Sequence, residues 1–497
     1  MRNRLLARAL TALIVLNVGS VADEQRVVDQ GIVIENVTVI SPERATPLPH
    51  ANVVIRDGRI IEVSTNLVAG GPHAQRIDGS GRFLIPGLID SHVHVGHSAA
   101  LDDDTIGAHP ELWAAYRAQV PRAYLAFGFT SVVDLDLTPA DRAWIEGTPL
   151  HPRFYSCGRG IKVATGYMAF DVPPPSSPNF QNLVYEPKEA QHWPKSLEPG
   201  DYTPERAVAN AADSGAICVK AFVESGFGMF HWPYLHTETL QKIQAATKAR
   251  KLVLIVHANS IDCWQSALDA HADIIAHGLW VWPGDFGNSV PPSAASNVIA
   301  TAAHAGTRVQ PTLQTVAGER AMIDPTLLDD PRLTMALPRT VVAHLRSAEG
   351  VKARNTLLDE YRKASPPPGF EPLLKAAIER TRATFKIMLQ DHVPLVFGSD
   401  TPGVEGFGNP PGLNGRLELQ NWADAGAPLP LILRAATLDN AIALGLSREL
   451  GSIEAGKRAD LLLLKQNPLT NVSAYDSIQT IFLNGEPIAR EGLRAHD

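Results

Sequence analysis

Eight nearly continuous apolar runs, each separated from the next by a helix-patterned stretch, constrain this chain more than any other feature. They are FLIPGLIDSHVH, TSVVDL, RFYSC, ICVKAFV, LVLIVHA, ADIIAHG, RVQPTLQ and PLVFGSD, all between residues 83 and 445. Runs without polar alternation read as parallel strands covered on both faces. Stretches such as PELWAAYRAQVPRAYLAFG, TPERAVANAADSG, TETLQKIQAATKARK and SIDCWQSALDAHA carry helical spacing between them. Eight such β–α units predict an α/β fold, a (β/α)8 TIM barrel with insertions. One insertion is the Pro-rich stretch Phe170 to Tyr202 and the other the helical stretch Val316 to Asp391. An open doubly wound sheet is the alternative, but no Gly-rich dinucleotide fingerprint follows the first strand.

The flanks have a different texture. GIVIENVTVI, ANVVIRDGRIIEVS and QRIDGSGRFL read as short strands with a hairpin-like Asp57-Gly58, and ADLLLLK and SIQTIFLNGEPI repeat that texture at the other end. Neither set has enough strands to bury a core alone. The expected organisation is a small β-sandwich built from both termini, 23–82 plus 446–497, with the barrel of 83–445 inserted between them. Residues 1–22 carry Arg2, Arg4 and Arg8, then the apolar ALTALIVLNVGSV, then small residues at Ser20 and Ala22. That pattern predicts a signal peptide cleaved near Ala22 and a secreted or periplasmic protein. No other segment is long and apolar enough to insert stably in a membrane. A net charge of −8 with no long basic run argues against nucleic acid as a partner. Three cysteines make no disulfide framework for a chain this size, and their apolar surroundings read as buried free thiols. A small-molecule substrate is the expected partner, and self-association is left open.

Chemistry-bearing residues gather where those strands end. The first run ends in DSHVH, and positions two apart in a strand face the same way, so His92 and His94 can share one metal. The fifth ends at His257, the sixth at His277 and the eighth at Asp400. A lone buried histidine is usually a hydrogen-bonded core residue. Four histidines and a carboxylate on four strand ends of one barrel are not explained that way, because barrel enzymes build their sites at this rim. The fourth run places Lys220 among Val219, Ala221 and Phe222. Burial lowers a lysine pKa and exposes the neutral amine, which takes up CO2 to give an anionic carbamate able to bridge two cations.

The segments PGLIDSHVH, the strand-four Lys220, HA at His257, AHG at His277, GSD at Asp400, LRAATLDNAIALGL and GSIEAGKRADLLLLKQNP together resemble the amidohydrolase superfamily. Within it the chain is similar to the imidazolonepropionase-like, metal-dependent Xaa-Pro dipeptidase (prolidase-like) branch. The resemblance implies one divalent metal on His92, His94 and Asp400 and a second on His257 and His277. Carboxylated Lys220 and a hydroxide would bridge them, and zinc suits the imidazole-rich set. It further implies Asp400 as the general base and acid, with Lys220 and His277 beside it in the catalytic group. Asp90 and His97 are read as supporting or loop residues.

Where the family shows a Gly-Gly-His turn after strand three, this chain has GRGIKVATGYM, with Tyr167 near the expected histidine. Tyr167 and Tyr234 are candidate donors to a substrate carboxylate, and Arg159 or Lys162 a candidate ion-pair partner. The implied activity is hydrolysis of an amide bond in a dipeptide or N-acyl amino acid. The alternatives are a lactonase or esterase on the same site, a mononuclear deaminase, and a non-catalytic binding protein on this scaffold.

Overall fold

The computed structural model describes residues 26–66, 68–170, 181–284, 288–403 and 406–495. The expected signal segment 1–22 and the PPPSSP run at 173–178 lie outside the described residues.

The barrel strands are β1 (Leu88–Val93), β2 (Phe129–Asp134), β3 (Arg153–Ser156), β4 (Cys218–Phe222), β5 (Val253–His257), β6 (Ile274–Ala276) and β7 (Arg308–Gln310), with a bridging segment, β8, at 395–401. Every residue of β1, β2 and β4 is buried, which is why these runs lack polar alternation. Two parallel arcs form the wall: β1 to β3, and β4 to β7. β8 closes one seam through parallel bridges from Leu395 to Val309 and from Thr401 to Val93. At the other seam Ile217 N–H donates to Ser156 O at 2.9 Å.

A disulfide between Cys157 and Cys218 staples that second seam, while Cys263 is free and buried. The expectation of three free thiols is therefore corrected. Residues 61 apart in sequence stand at the end of β3 and the start of β4, with Cα atoms 4.4 Å apart, a separation within the usual disulfide range.

Strands from both chain ends share one eight-stranded sheet among the described residues. Leu461–Leu464 runs antiparallel to Phe83–Pro86, with Leu462 opposite Ile85. The run FLIPGLIDSHVH is thus two strands rather than one. It breaks at Gly87, whose N–H donates to Asp460 O at 2.8 Å, and FLIP stays in the terminal sheet. Val39, Val53, Leu84, Leu461 and Phe482 are fully buried in one cluster drawn from both ends. Arg153 of β3 ion-pairs with Asp460, fixing barrel to sheet. Among the described residues no helix is long and apolar enough to cross a membrane.

Candidate active site

His92 and His94 leave β1 on one face, as alternation requires. Their Nε2 atoms lie 3.2 and 3.0 Å from Asp400 Oδ1. Backbone pairing across the closing seam sets this up: Asp400 N donates to His92 O at 2.7 Å and His94 N to Thr401 O at 2.6 Å. Gly398, two residues before Asp400, is needed for that approach, since a Cβ there would stand 2.7 Å from His92 Cβ. Lys220 Nζ, from the middle of β4, is 3.4 Å from His92 Nε2. His277 Nδ1 is 3.7 Å from Asp400 Oδ2, and the His257 and His277 rings are 4.5 Å apart. The structure thus brings together all six residues singled out as candidate ligands. His92 and Lys220 are fully buried, and His94, His257 and His277 nearly so.

Left-handed backbone also occurs at this rim. His277, Thr312 and Asp400, at the ends of β6, β7 and β8, have φ of 82°, 45° and 58°. Left-handed backbone at non-glycine residues costs about 1–3 kcal/mol each and persists where the surroundings over-determine it, commonly at functional sites. Thr312 Oγ1 meets His277 Nδ1 at 2.9 Å.

Burial sets the charge states. It pushes the Lys220 amine down to about 7, so much of it is neutral near physiological pH. Burial, helped by the Lys220 charge, brings His92 down to about 3. The Asp400 carboxyl opposes its own burial through His92, His94 and His277 and stays well below the usual range. Asp90, expected to be supportive, is fully buried and accepts from Ser399 N (2.9 Å), Ser399 Oγ (2.5 Å) and His92 N (3.2 Å), tying β1 to β8. Burial raises its carboxyl to about 7. His97 stacks on His94 with centroids 4.8 Å apart.

Glu224 and Asn259 escaped the sequence reading. Glu224 Oε1 accepts from Gly226 N (2.8 Å) and Phe227 N (2.7 Å), and its Oε2 lies 3.4 Å from His257 Nε2 and 3.2 Å from Asn259 Nδ2. The signal was positional: both are polar residues within four positions of Lys220 and His257, on the same rim.

Arg159 and Lys162 line a cavity of about 240 Å³ together with His94, His97, Asp136 and Gln181. Lys162 is buried and pairs with Asp136 and Gln181, and Arg159 Nη1 is 3.1 Å from Asp136 Oδ1. Tyr167 places its ring 4.9 Å from that of His257, whereas Tyr234 has its ring contact with His236 at 4.4 Å.

His92, His94 and Asp400 offer ligand atoms all within 4.8 Å of one another. Two buried imidazoles converging on a carboxylate form an N/O donor set that fits a divalent transition metal. The model of the Amidohydrolase family matches residues 83–488. The chain belongs to the amidohydrolase family. Among curated relatives, a putative aminohydrolase of Methanothermobacter thermautotrophicus is 41% identical over 71 residues, covering 14% of this chain and 17% of that protein. The match therefore spans about a sixth of that relative's length. A prolidase solved with N-methylphosphonate-L-proline superposes with a TM-score of 0.65 at 22% identity, over 92% of this chain and 99% of its own. A Xaa-Pro dipeptidase with bound methionine gives 0.63 at 20%, over 92% and 99%. Likeness at these identities establishes a shared fold.

Proposed function

We propose that this amidohydrolase cleaves the amide bond of a dipeptide or N-acyl amino acid bearing a free carboxylate. The observation that carries the reading is the convergence of six side chains from β1, β4, β5, β6 and β8, with a buried lysine among them. His92, His94 and Asp400 would hold one divalent cation and His257 and His277 a second, with zinc the best match to the imidazoles. Such ions polarise a carbonyl and lower the pKa of water towards neutrality. Lys220 contributes as its carbamate: the neutral amine adds to CO2, losing one proton, and becomes an anionic ligand with two oxygens. Asp400 accepts the proton of the attacking water and delivers it to the departing amine. Arg159 and Lys162 beside His94 are the proposed partners of the substrate carboxylate. The basic and apolar N-terminal segment, with the Cys157–Cys218 disulfide, supports an exported protein in an oxidising compartment. A screen of dipeptides and N-acyl amino acids, read by released amine, tests the activity. Turnover of esters or aminopurines with none of amides would overturn it.

A further inference from the structure

The loops that follow β3, β4 and β6 bring together an aromatic cluster for which the chemistry above has no use. Phe227 stacks on Trp280 (centroids 5.5 Å, interplanar angle 16°), and Tyr167 stacks on Trp232 (5.6 Å, 19°). The two pairs interlock edge to face, Phe227 lying 5.3 Å from Tyr167 and 5.5 Å from Trp232. Two of the rings reach His257, Tyr167 at 4.9 Å and Phe227 at 6.4 Å. All four aromatic residues are only half-buried, so apolar ring surface reaches solvent beside the candidate centre, Trp232 being stacked also by Phe230 (centroids 5.2 Å, interplanar angle 7°).

This surface is held in place. Glu224 accepts the N–H groups of Gly226 and Phe227 on one oxygen and faces His257 and Asn259 with the other. Asn259 Oδ1 in turn accepts from Trp280 Nε1 at 2.9 Å. Gly226, with φ +124°, lets the loop fold back on itself, because a Cβ there would stand 2.3 Å from Phe230 O. Phe230 N donates to Gly226 O at 2.8 Å and Trp232 N to Ser225 O at 3.1 Å. A buried carboxylate thus ties the aromatic loop to the strand end that bears His257. A rigid aromatic surface suits a flat ring laid against it.

We infer that Tyr167, Phe227, Trp232 and Trp280 form a stacking subsite for an aromatic ring carried by the substrate next to the scissile bond. The class favoured is then amides bearing an aryl group, such as N-aroyl amino acids, over small aliphatic dipeptides. This deepens the amidase reading and rests on it for turnover, though not for binding.

The test has two arms. In the first, the metal-loaded enzyme is given N-benzoyl-L-alanine, N-acetyl-L-phenylalanine and N-acetyl-L-alanine, and kcat/KM for the better aromatic compound should exceed that for N-acetyl-L-alanine at least 10-fold. That ratio should shrink towards unity in Trp232→Leu and Phe227→Leu, which keep apolar bulk in case alanine variants do not fold. In the second, N-benzoylglycine binding to metal-free protein is followed by tryptophan fluorescence, with N-acetylglycine as control. Saturable quenching by the benzoyl compound alone, weakened in both variants, supports the subsite even where no amide is turned over, in which case only the amidase reading fails. Equal turnover of aromatic and aliphatic amides, or benzoyl binding unchanged in both variants, would overturn the subsite and leave the amidase reading standing.

Discussion

Asp400→Asn separates the proposed proton-transfer role of Asp400 from its structural one. Asp400 sits at φ 58°, a region that Asp and Asn tolerate better than other side chains. Asparagine therefore keeps the backbone affordable to the fold and retains an oxygen facing His92 and His94. It cannot accept a proton. General acid–base catalysis is worth roughly 10²–10⁴-fold, so kcat should fall by that factor, about 2.7–5.4 kcal/mol of barrier at 1.36 kcal/mol per decade. Asp400→Ala should do worse in two ways, losing the oxygen and placing an unfavourable residue at positive φ. The assay is steady-state amide hydrolysis with the metal content of each variant measured alongside. Asp400→Asn with substantial metal and turnover within a few-fold of the parent would refute the reasoning and move the base elsewhere, with His277 the next candidate.

Truncation after Gly451 removes Leu461–Leu464, Ile478–Leu483 and Glu486–Ala489, which uncovers Leu84 and the edge of Phe83–Pro86. Insoluble product is expected although all six candidate ligands lie upstream, and a soluble, active fragment would contradict this. Glu418 is fully buried and accepts from Leu313 N, Gln314 N and Trp422 Nε1, yet burial raises its carboxyl to about 7. With the folded pKa raised, its contribution to stability is complete below about 4.3 and lost as pH rises through the folded value. The urea midpoint of the parent should therefore decline relative to Glu418→Gln between about pH 5 and pH 8, and parallel curves would show that Glu418 does not titrate in that range.

The apolar runs and the histidines at their ends were legible because alternation within a strand and burial on both faces leave direct marks in sequence. The break of FLIPGLIDSHVH was not, because Pro86 and Leu88 are equally apolar and only the pairing partners, Leu461 on one side and Phe129 on the other, distinguish two strands from one. The disulfide was hidden by the 61-position separation of Cys157 and Cys218, whose neighbourhood exists only once β3 and β4 are side by side. Glu224, four positions beyond Lys220, drew no reading from the sequence. Its importance comes from two backbone N–H groups and His257, contacts that no local pattern encodes. The left-handed backbone at His277, Thr312 and Asp400 was equally silent, since none is a glycine.

The central claim is that Lys220 belongs to a site holding two cations. Elemental analysis of the purified chain and of Lys220→Ala, both loaded with zinc in the presence of bicarbonate and then desalted, tests it most directly. Roughly two equivalents per chain are expected for the parent, the number a shared bridging ligand serves. Lys220→Ala should retain no more than about one equivalent, with nearly all activity lost and partial rescue of both by short carboxylic acids. Two equivalents retained in Lys220→Ala would contradict the account.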